Sequence, residues 1–369
     1  MALKVVEIIK DLYLIQTPEL PFVSNSYLLT FSNNGNKINI LIDPIPLIYF
    51  NDLILTLKDL IGGAENLNII YVNHQDPDLT SSLPGLMSLS PNSILLSSED
   101  TWRLIRNYGL DKERFQAVEY FPNKKIILRT GHAFQFVPTP FCHFRGACMV
   151  YYPTKRVLFS GDLLGGLVTK AGEDIYATKD SWEGIKIFHQ IYIPTREALR
   201  LAVDKIGRLE PIPELILPQH GDIIKGDLIV EFLKKLNDLE VGLEHILTQE
   251  KQESTYLYAF NEILQKEKER FGEKFVMEKL ENINSSPFFP EIVHFENGVA
   301  LDFRISPISA IGILYKGFTE DMSLKDKETI KADIVSILSK YNLDIPEEIL
   351  EERVSIWDNF RRILRIFQR

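Results

Sequence analysis

The stretch YVNHQDPDLTSS, residues 71–82, decides how the rest of the chain is read. An apolar strand runs into Asn73, and His74, Asp76 and Asp78 follow at every second position. In extended backbone, side chains at i, i+2 and i+4 share one side. Pro77 has no amide hydrogen and favours an extended residue before it, so the segment reads as a rigid loop rather than a helix. An imidazole and two carboxylates at a strand end suit two purposes, a hydrogen-bonded turn or a metal site.

Three later stretches favour the metal. PFCHFRGAC (140–148) places His143 after the strand-like FQFVPTP. VLFSGDLLGG (157–166) ends an apolar strand at Asp162, before a glycine-rich turn, and ELILPQHGD (214–222) sets His220 beyond another strand. Each polar side chain sits just past a strand, where loops collect at one edge of a sheet and function is usually built.

Working outward, short apolar runs bounded by Gly, Pro, Asn or Asp predict strands at 12–16, 26–31, 38–42, 69–73, 94–97, 134–138, 149–152, 157–160 and 215–218. Helical patterns at 49–61, 101–108 and 195–209 lie between them, giving two sheets packed together with helices outside. After Gly226 the texture changes. Residues 227–275 form one long charged helical pattern with a break near Ser254; strands at 292–295, 299–303 and 311–315 and helices at 325–341 and 346–367 follow. The expected division is a site-bearing domain over 1–226, a helical connector over 227–250 and a smaller α+β domain of unknown function over 251–369.

Composition narrows the class. Forty-one basic against fifty-one acidic residues leave a net charge of −10, which excludes a general nucleic-acid binder. A hydrophobic share of 45% is ample for a packed core, and two cysteines cannot make a disulfide scaffold. The N-terminal residues lack signal-peptide features and no run approaches eighteen apolar residues, so a cytoplasmic protein is expected. The last helix carries arginines between Ile356, Phe360, Ile363 and Phe367; packing on its own domain or a partner is expected there, rather than membrane contact.

The order His-x-Asp-x-Asp, His, Asp, His resembles the metallo-β-lactamase fold, and more narrowly its flavodiiron branch. Eighteen residues separate His143 from Asp162, and 57 separate Asp162 from His220. NSYLL (25–29), LIDPI (41–45) and SGD (160–162) resemble that superfamily's early strands and bridging-Asp loop. The likeness covers roughly residues 5–226. Hydrolytic members have a histidine where Asp76 stands and another where Leu79 stands, and the flavodiiron branch has Glu in place of Asp76. The Asp form resembles stand-alone oxygen-binding diiron proteins of that branch, which lack the flavodoxin module.

The resemblance implies an αββα sandwich in which His74, Asp76 and His143 hold one metal, Asp78 and His220 the other, and Asp162 bridges. Three carboxylates against two divalent ions leave one positive charge, which a hydroxide would neutralise. Two irons are expected, with zinc or manganese as alternatives, and Leu79 leaves a metal position open for dioxygen or nitric oxide. No flavin-cradling loop is read in the last 120 residues, so an external electron donor or a signalling partner is expected, as is a homodimer. The leading reading is a non-haem diiron protein that binds dioxygen, as sensor or reductase. The alternative is a binuclear zinc hydrolase acting on a thioester or phosphoester.

Other residues are weighed against plainer roles. Asp43, after INILI, is either a carboxylate orienting a metal-bound imidazole or a turn residue. Asn73 and Gln75 are expected at the surface, and Cys142 and Cys148 as small buried residues. Tyr176 and Tyr192 are candidates to approach the open metal, though core or lid packing is the default. His189 is read as a satisfied buried histidine, and His132, His245 and His294 as structural.

Overall fold

A computed structural model describes residues 3–33, 35–168, 174–285, 291–296, 298–341 and 343–350. The chain divides into two compact units, residues 1–246 and 247–369.

The first unit holds two sheets. One has seven strands side by side in chain order: β1 (Lys4–Ile9), β2 (Leu12–Gln16), β3 (Asn25–Asn33), β4 (Asn36–Ile42), β5 (Ile69–Tyr71), β6 (Ile94–Ser97) and β7 (Phe115–Ala117). β1 to β4 run antiparallel, and β4 to β7 run parallel. The second comprises β8 (Lys125–Ile127), β9 (Ala133–Pro138), β10 (Cys148–Tyr152), β11 (Val157–Gly161), β12 (Leu215–Pro218) and β13 (Ile224–Lys225), in the order β13-β12-β11-β10-β9-β8.

Period-two alternation sorts side chains to either face of each sheet. Tyr27, Leu29 and Phe31 of β3 meet Phe136, Val150 and Phe159 in the core between the sheets. Leu28 and Leu41 point the other way, against Leu53 and Leu57 of helix Phe50–Ile61 and Trp102 of helix Glu99–Ile105. Met149, Tyr151 and Leu158 face Leu199, Ala202 and Phe232 of helices Arg196–Gly207 and Asp227–Asp238. The result is helices, sheet, sheet, helices, as expected, each fully buried leucine contributing about 2 kcal/mol of transfer free energy.

The four strands that lack a clear sequence signal, β1, β7, β8 and β13, are the four sheet edges. Edge strands are short and half exposed, so KVVEII, FQA, KII and IK carry no continuous apolar run. The loop expected across 71–82 also differs, because Pro77–Thr80 is a short helix. Pro77 occupies its first position, where the missing amide hydrogen costs nothing.

The second unit pairs β14 (Val293–Glu296) with β15 (Val299–Phe303) and surrounds them with helices. The expected strand at 311–315 is instead part of helix Pro307–Thr319, which buries Ala310, Ile311, Leu314 and Phe318 at helical spacing. The long helical pattern breaks at 239–241 and at Gly272, not near Ser254. Gly272 has φ +88°, a left-handed value that favours glycine at helix ends. The closing helix expected at 346–367 is described only at Glu347–Leu350; the rest lies outside the described residues.

Glu267 is fully buried, and neither carboxylate oxygen has a hydrogen-bond partner. Lys266 and Arg270 both pair with Asp333 instead. Burial, reinforced by Asp333, pushes Glu267 up to about 7 against the pull of Arg270 and Lys266. An acid whose pKa is higher folded than unfolded loses stability as pH rises through the interval, here from about 4.5 to about 7. Glu267→Gln should therefore raise the thermal midpoint of this unit at pH 8 by about 5 °C and leave it little changed at pH 4.5. Calorimetry of the full chain at the two pH values checks this; equal shifts at both would contradict it.

Candidate metal centre

The site lies along one rim, where strands of both sheets end. His74 follows β5, His143 follows β9, Asp162 follows β11 and His220 follows β12. The rim is stitched across the two sheets. Asn25 Nδ2 donates to the carbonyls of Pro218 (3.0 Å) and Gly221 (2.8 Å), and Tyr27 Oη donates to Pro218 (2.6 Å). Asn73 Nδ2 donates to the Cys148 carbonyl at 2.7 Å. Gly161 has φ +59°, and a methyl group on it would lie 2.2 Å from the Asn73 side chain. Its bare backbone admits that amide.

Local backbone aims each donor. Asp76 occupies the cap position of helix Pro77–Thr80 but makes no side-chain capping bond, which leaves its carboxylate for the site. Beyond Asp162 the chain turns through Leu164, at φ +64°. His189 holds that turn: its Nε2 accepts the Leu164 amide at 3.0 Å, and its Nδ1 lies 2.7 Å from the Ile185 carbonyl. Burial pushes His189 down to about 4, so it is neutral and satisfied.

Six side chains converge. His74 Nε2, His143 Nε2, Asp76 and Asp162 offer four ligand atoms all within 4.8 Å of one another. His143 Nε2 lies 3.1 Å from Asp76 Oδ2 and 3.0 Å from Asp162 Oδ2, and His74 Nε2 lies 3.4 Å from the latter. The other Asp162 oxygen, Oδ1, faces His220 Nε2 at 3.7 Å, and His220 Nε2 is 3.0 Å from Asp78 Oδ2. Asp162 therefore turns one oxygen to each group.

Two of the imidazoles are oriented from behind. His220 Nδ1 donates to the Val23 carbonyl at 2.9 Å, and His74 Nδ1 to Asn73 Oδ1 at 3.2 Å. With Nδ1 as the donor, Nε2 of each ring in its neutral form has a lone pair free for a cation placed between it and the carboxylates. His74 Nε2 and Asp162 Oδ1 are buried without a hydrogen-bond partner. A set of lone pairs and carboxylates with orphaned buried atoms fits cations, which satisfy all of them at once.

The metal-free electrostatics agree. Burial alone would raise Asp162, but His74, His143 and His220 overcome it and hold its carboxyl well below the usual range. Burial would lower His143, yet its bonds to Asp162 and Asp76 push it up to about 10. Burial, with the charges of Asp162 and Asp78, pushes Asp43 up to about 8 against the pull of the Asn73 amide.

The ODP family beta lactamase profile matches residues 22–221, more than half of the 369 residues. The chain belongs to this family. Among solved structures, the chemotaxis sensor ODP in its peroxy diiron form shares 23% identity with this ODP-family chain, at TM-score 0.55, over 68% of this chain and 100% of the sensor. A mutant flavo di-iron protein from Thermotoga maritima shares 21%, at TM-score 0.56, over 64% of this chain and 60% of the other. These likenesses establish the metallo-β-lactamase sandwich. In sequence, an uncharacterized protein of Methanocaldococcus jannaschii is 28% identical over 58% of this chain, and a nitric oxide reductase of Moorella thermoacetica 22% identical over 55%. The matches span about half of those relatives' lengths, 52% and 50%.

Other sequence candidates of this ODP-family chain fall variously. Asp43 is buried, but it accepts the Asn73 backbone amide at 2.7 Å, and the bond to the His74 ring comes from Asn73. Asn73, expected at the surface, is buried, because the rim seam closes over it. Tyr192 packs at the site, its ring 5.6 Å from His143. Tyr176 does not: its ring lies under Lys225 Nζ at 3.4 Å. Leu79 is fully buried among Leu83 and Leu86. Cys142 and Cys148 are buried free thiols, as expected.

Sequence reading missed Phe22 and Phe188, whose rings lie 4.4 and 5.5 Å from His220, and Gln219, which donates to Asp78 Oδ2 at 2.7 Å. A lone aromatic residue in PELPFVS carries no signal that it will cover a histidine nearly two hundred positions later.

In the chelator-stripped protein, His143 contributes stability that is full below about pH 6.5 and is lost as pH rises through about 10. The thermal midpoint should fall across that window, and His143→Gln should flatten the fall. Melting curves of both proteins from pH 6 to 10 decide it; parallel curves would contradict the pairing.

Proposed function

We propose that this chain is a non-haem diiron protein that binds dioxygen, acting as a sensor or, with an external electron donor, as a reductase. The observation that carries it is the divided Asp162 carboxylate, one oxygen toward His74 and His143 and the other toward His220. His74, Asp76 and His143 would hold one iron and Asp78 and His220 the other, with Asp162 shared. Bound iron supplies the redox electrons and a coordination position for the gas.

The chain's own residues do the rest. Asn73 and the Val23 carbonyl fix two imidazole orientations. Phe22, Phe188 and Tyr192 form an aromatic wall beside His220 and His143, which suits a small apolar ligand better than a charged ester. A carboxylate at Asp76, where hydrolytic relatives place histidine, favours a harder, redox-active metal. The similar solved structures, a chemotaxis sensor in a peroxy diiron form and a flavo di-iron protein, support the same metal, and the first supports an oxygen-derived ligand.

Protein purified without oxygen should contain about two irons per chain and gain a near-ultraviolet or visible absorption band on exposure to air. Asp162→Ala should lose both metals, since each group loses an oxygen. Two zincs, no spectral change and turnover of a thioester or phosphoester would establish the hydrolase instead.

A further inference from the structure

The six donors do not divide equally. The His74 group brings two imidazoles and two carboxylate oxygens together. The His220 group has one imidazole with Asp78 Oδ2 and Asp162 Oδ1. A cation there has one neutral nitrogen donor fewer, and it shares Asp162 with a cation already in place, whose charge repels it.

The amides beside the two aspartates differ in the same sense. Gln75 Nε2 donates to Asp76 Oδ1 at 2.7 Å, which leaves Oδ2 to His143 and His74. Gln219 Nε2 donates at 2.7 Å to Asp78 Oδ2, the same oxygen that faces His220. Gln219 is buried, and its Oε1 has no partner. The unpartnered oxygen is a feature it shares with Gln75; what sets Gln219 apart is that its donor meets the very Asp78 oxygen turned toward His220. Asp78 is 30% exposed and sits in the first turn of a four-residue helix, so little else confines it.

Resting on the binuclear reading above, we infer that the two metal positions fill in order, the His74–Asp76–His143 position first and the Asp78–His220 position second, and that Gln219 is the positioning residue that assembles the second. At limiting metal the chain holds a single ion. A ligand that needs both ions then binds only when metal supply fills the second position, so the centre reports metal availability as well as gas.

The test is an anaerobic titration of the metal-free full chain with ferrous iron, read by calorimetry against a competing chelator and by metal content after gel filtration. Two steps are expected, the first at least about tenfold tighter, the scale on which groups supporting metal ligands act. Asp78→Ala should keep the first step and end at one iron per chain. Gln219→Leu should weaken the second step about tenfold and leave the first unchanged. Gln219→Met, which fills similar space without an amide, should match it wherever the leucine variant melts early. One step taking up two equal irons, or loss of both irons in Asp78→Ala, overturns the order while leaving the binuclear reading intact. Two unchanged steps in both Gln219 variants overturn the role of the amide. Wild-type protein that takes up no iron overturns the binuclear reading and this inference with it.

Discussion

A carboxylate buried as completely as Asp162 has to be compensated, because an isolated charge in a protein interior costs several kcal/mol or more. Three imidazoles meet that need in the metal-free chain, and their combined pull outweighs burial. Much of the rim's construction follows from this constraint. Gly161 lets Asn73 come close, Asn73 turns the His74 ring, and His189 holds the turn that carries the aspartate. These residues form a chain of support in which each member is itself hydrogen-bonded.

The site is also a seam. β3 and β5 belong to one sheet and β10 and β12 to the other, and the bonds from Asn25, Tyr27 and Asn73 cross between them beside the candidate metal ligands. Packing of the apolar faces brings the sheets together without direction, while these bonds fix how their ends align. Donor positions set by rigid strand ends are held more closely than donors on free loops, which suits two donor groups that share the single Asp162 carboxylate.

Family membership and geometry bear on different questions. The family profile and structural neighbours define the sandwich; chemistry belongs to the particular side chains at its rim. Aspartate at position 76 and leucine at 79, rather than histidines, are what separate the proposed gas-binding centre from a hydrolytic one. The second unit, with its two-stranded hairpin, packed helices and the orphaned Glu267, has its own core and its own electrostatic weakness.

The six polar donors were legible in the sequence because each follows an apolar run that ends in a turn, and because their order matches a known pattern. The nine central strands were legible for the same reason: buried strands need continuous or alternating apolar residues. Edge strands escaped notice since half-exposed residues need no such run, and 311–315 misled because a short apolar run fits helix and strand alike. Residue order determined which donors exist and what chemistry they allow. Only the tertiary structure decided that Asp162 splits its oxygens between two groups, that Asn73 rather than Asp43 bonds the His74 ring, that Gln219 holds Asp78, and that Tyr192 and not Tyr176 stands at the site. Those are contacts between residues remote in the chain. Their distances depend on how two sheets register against each other, and no local pattern encodes that.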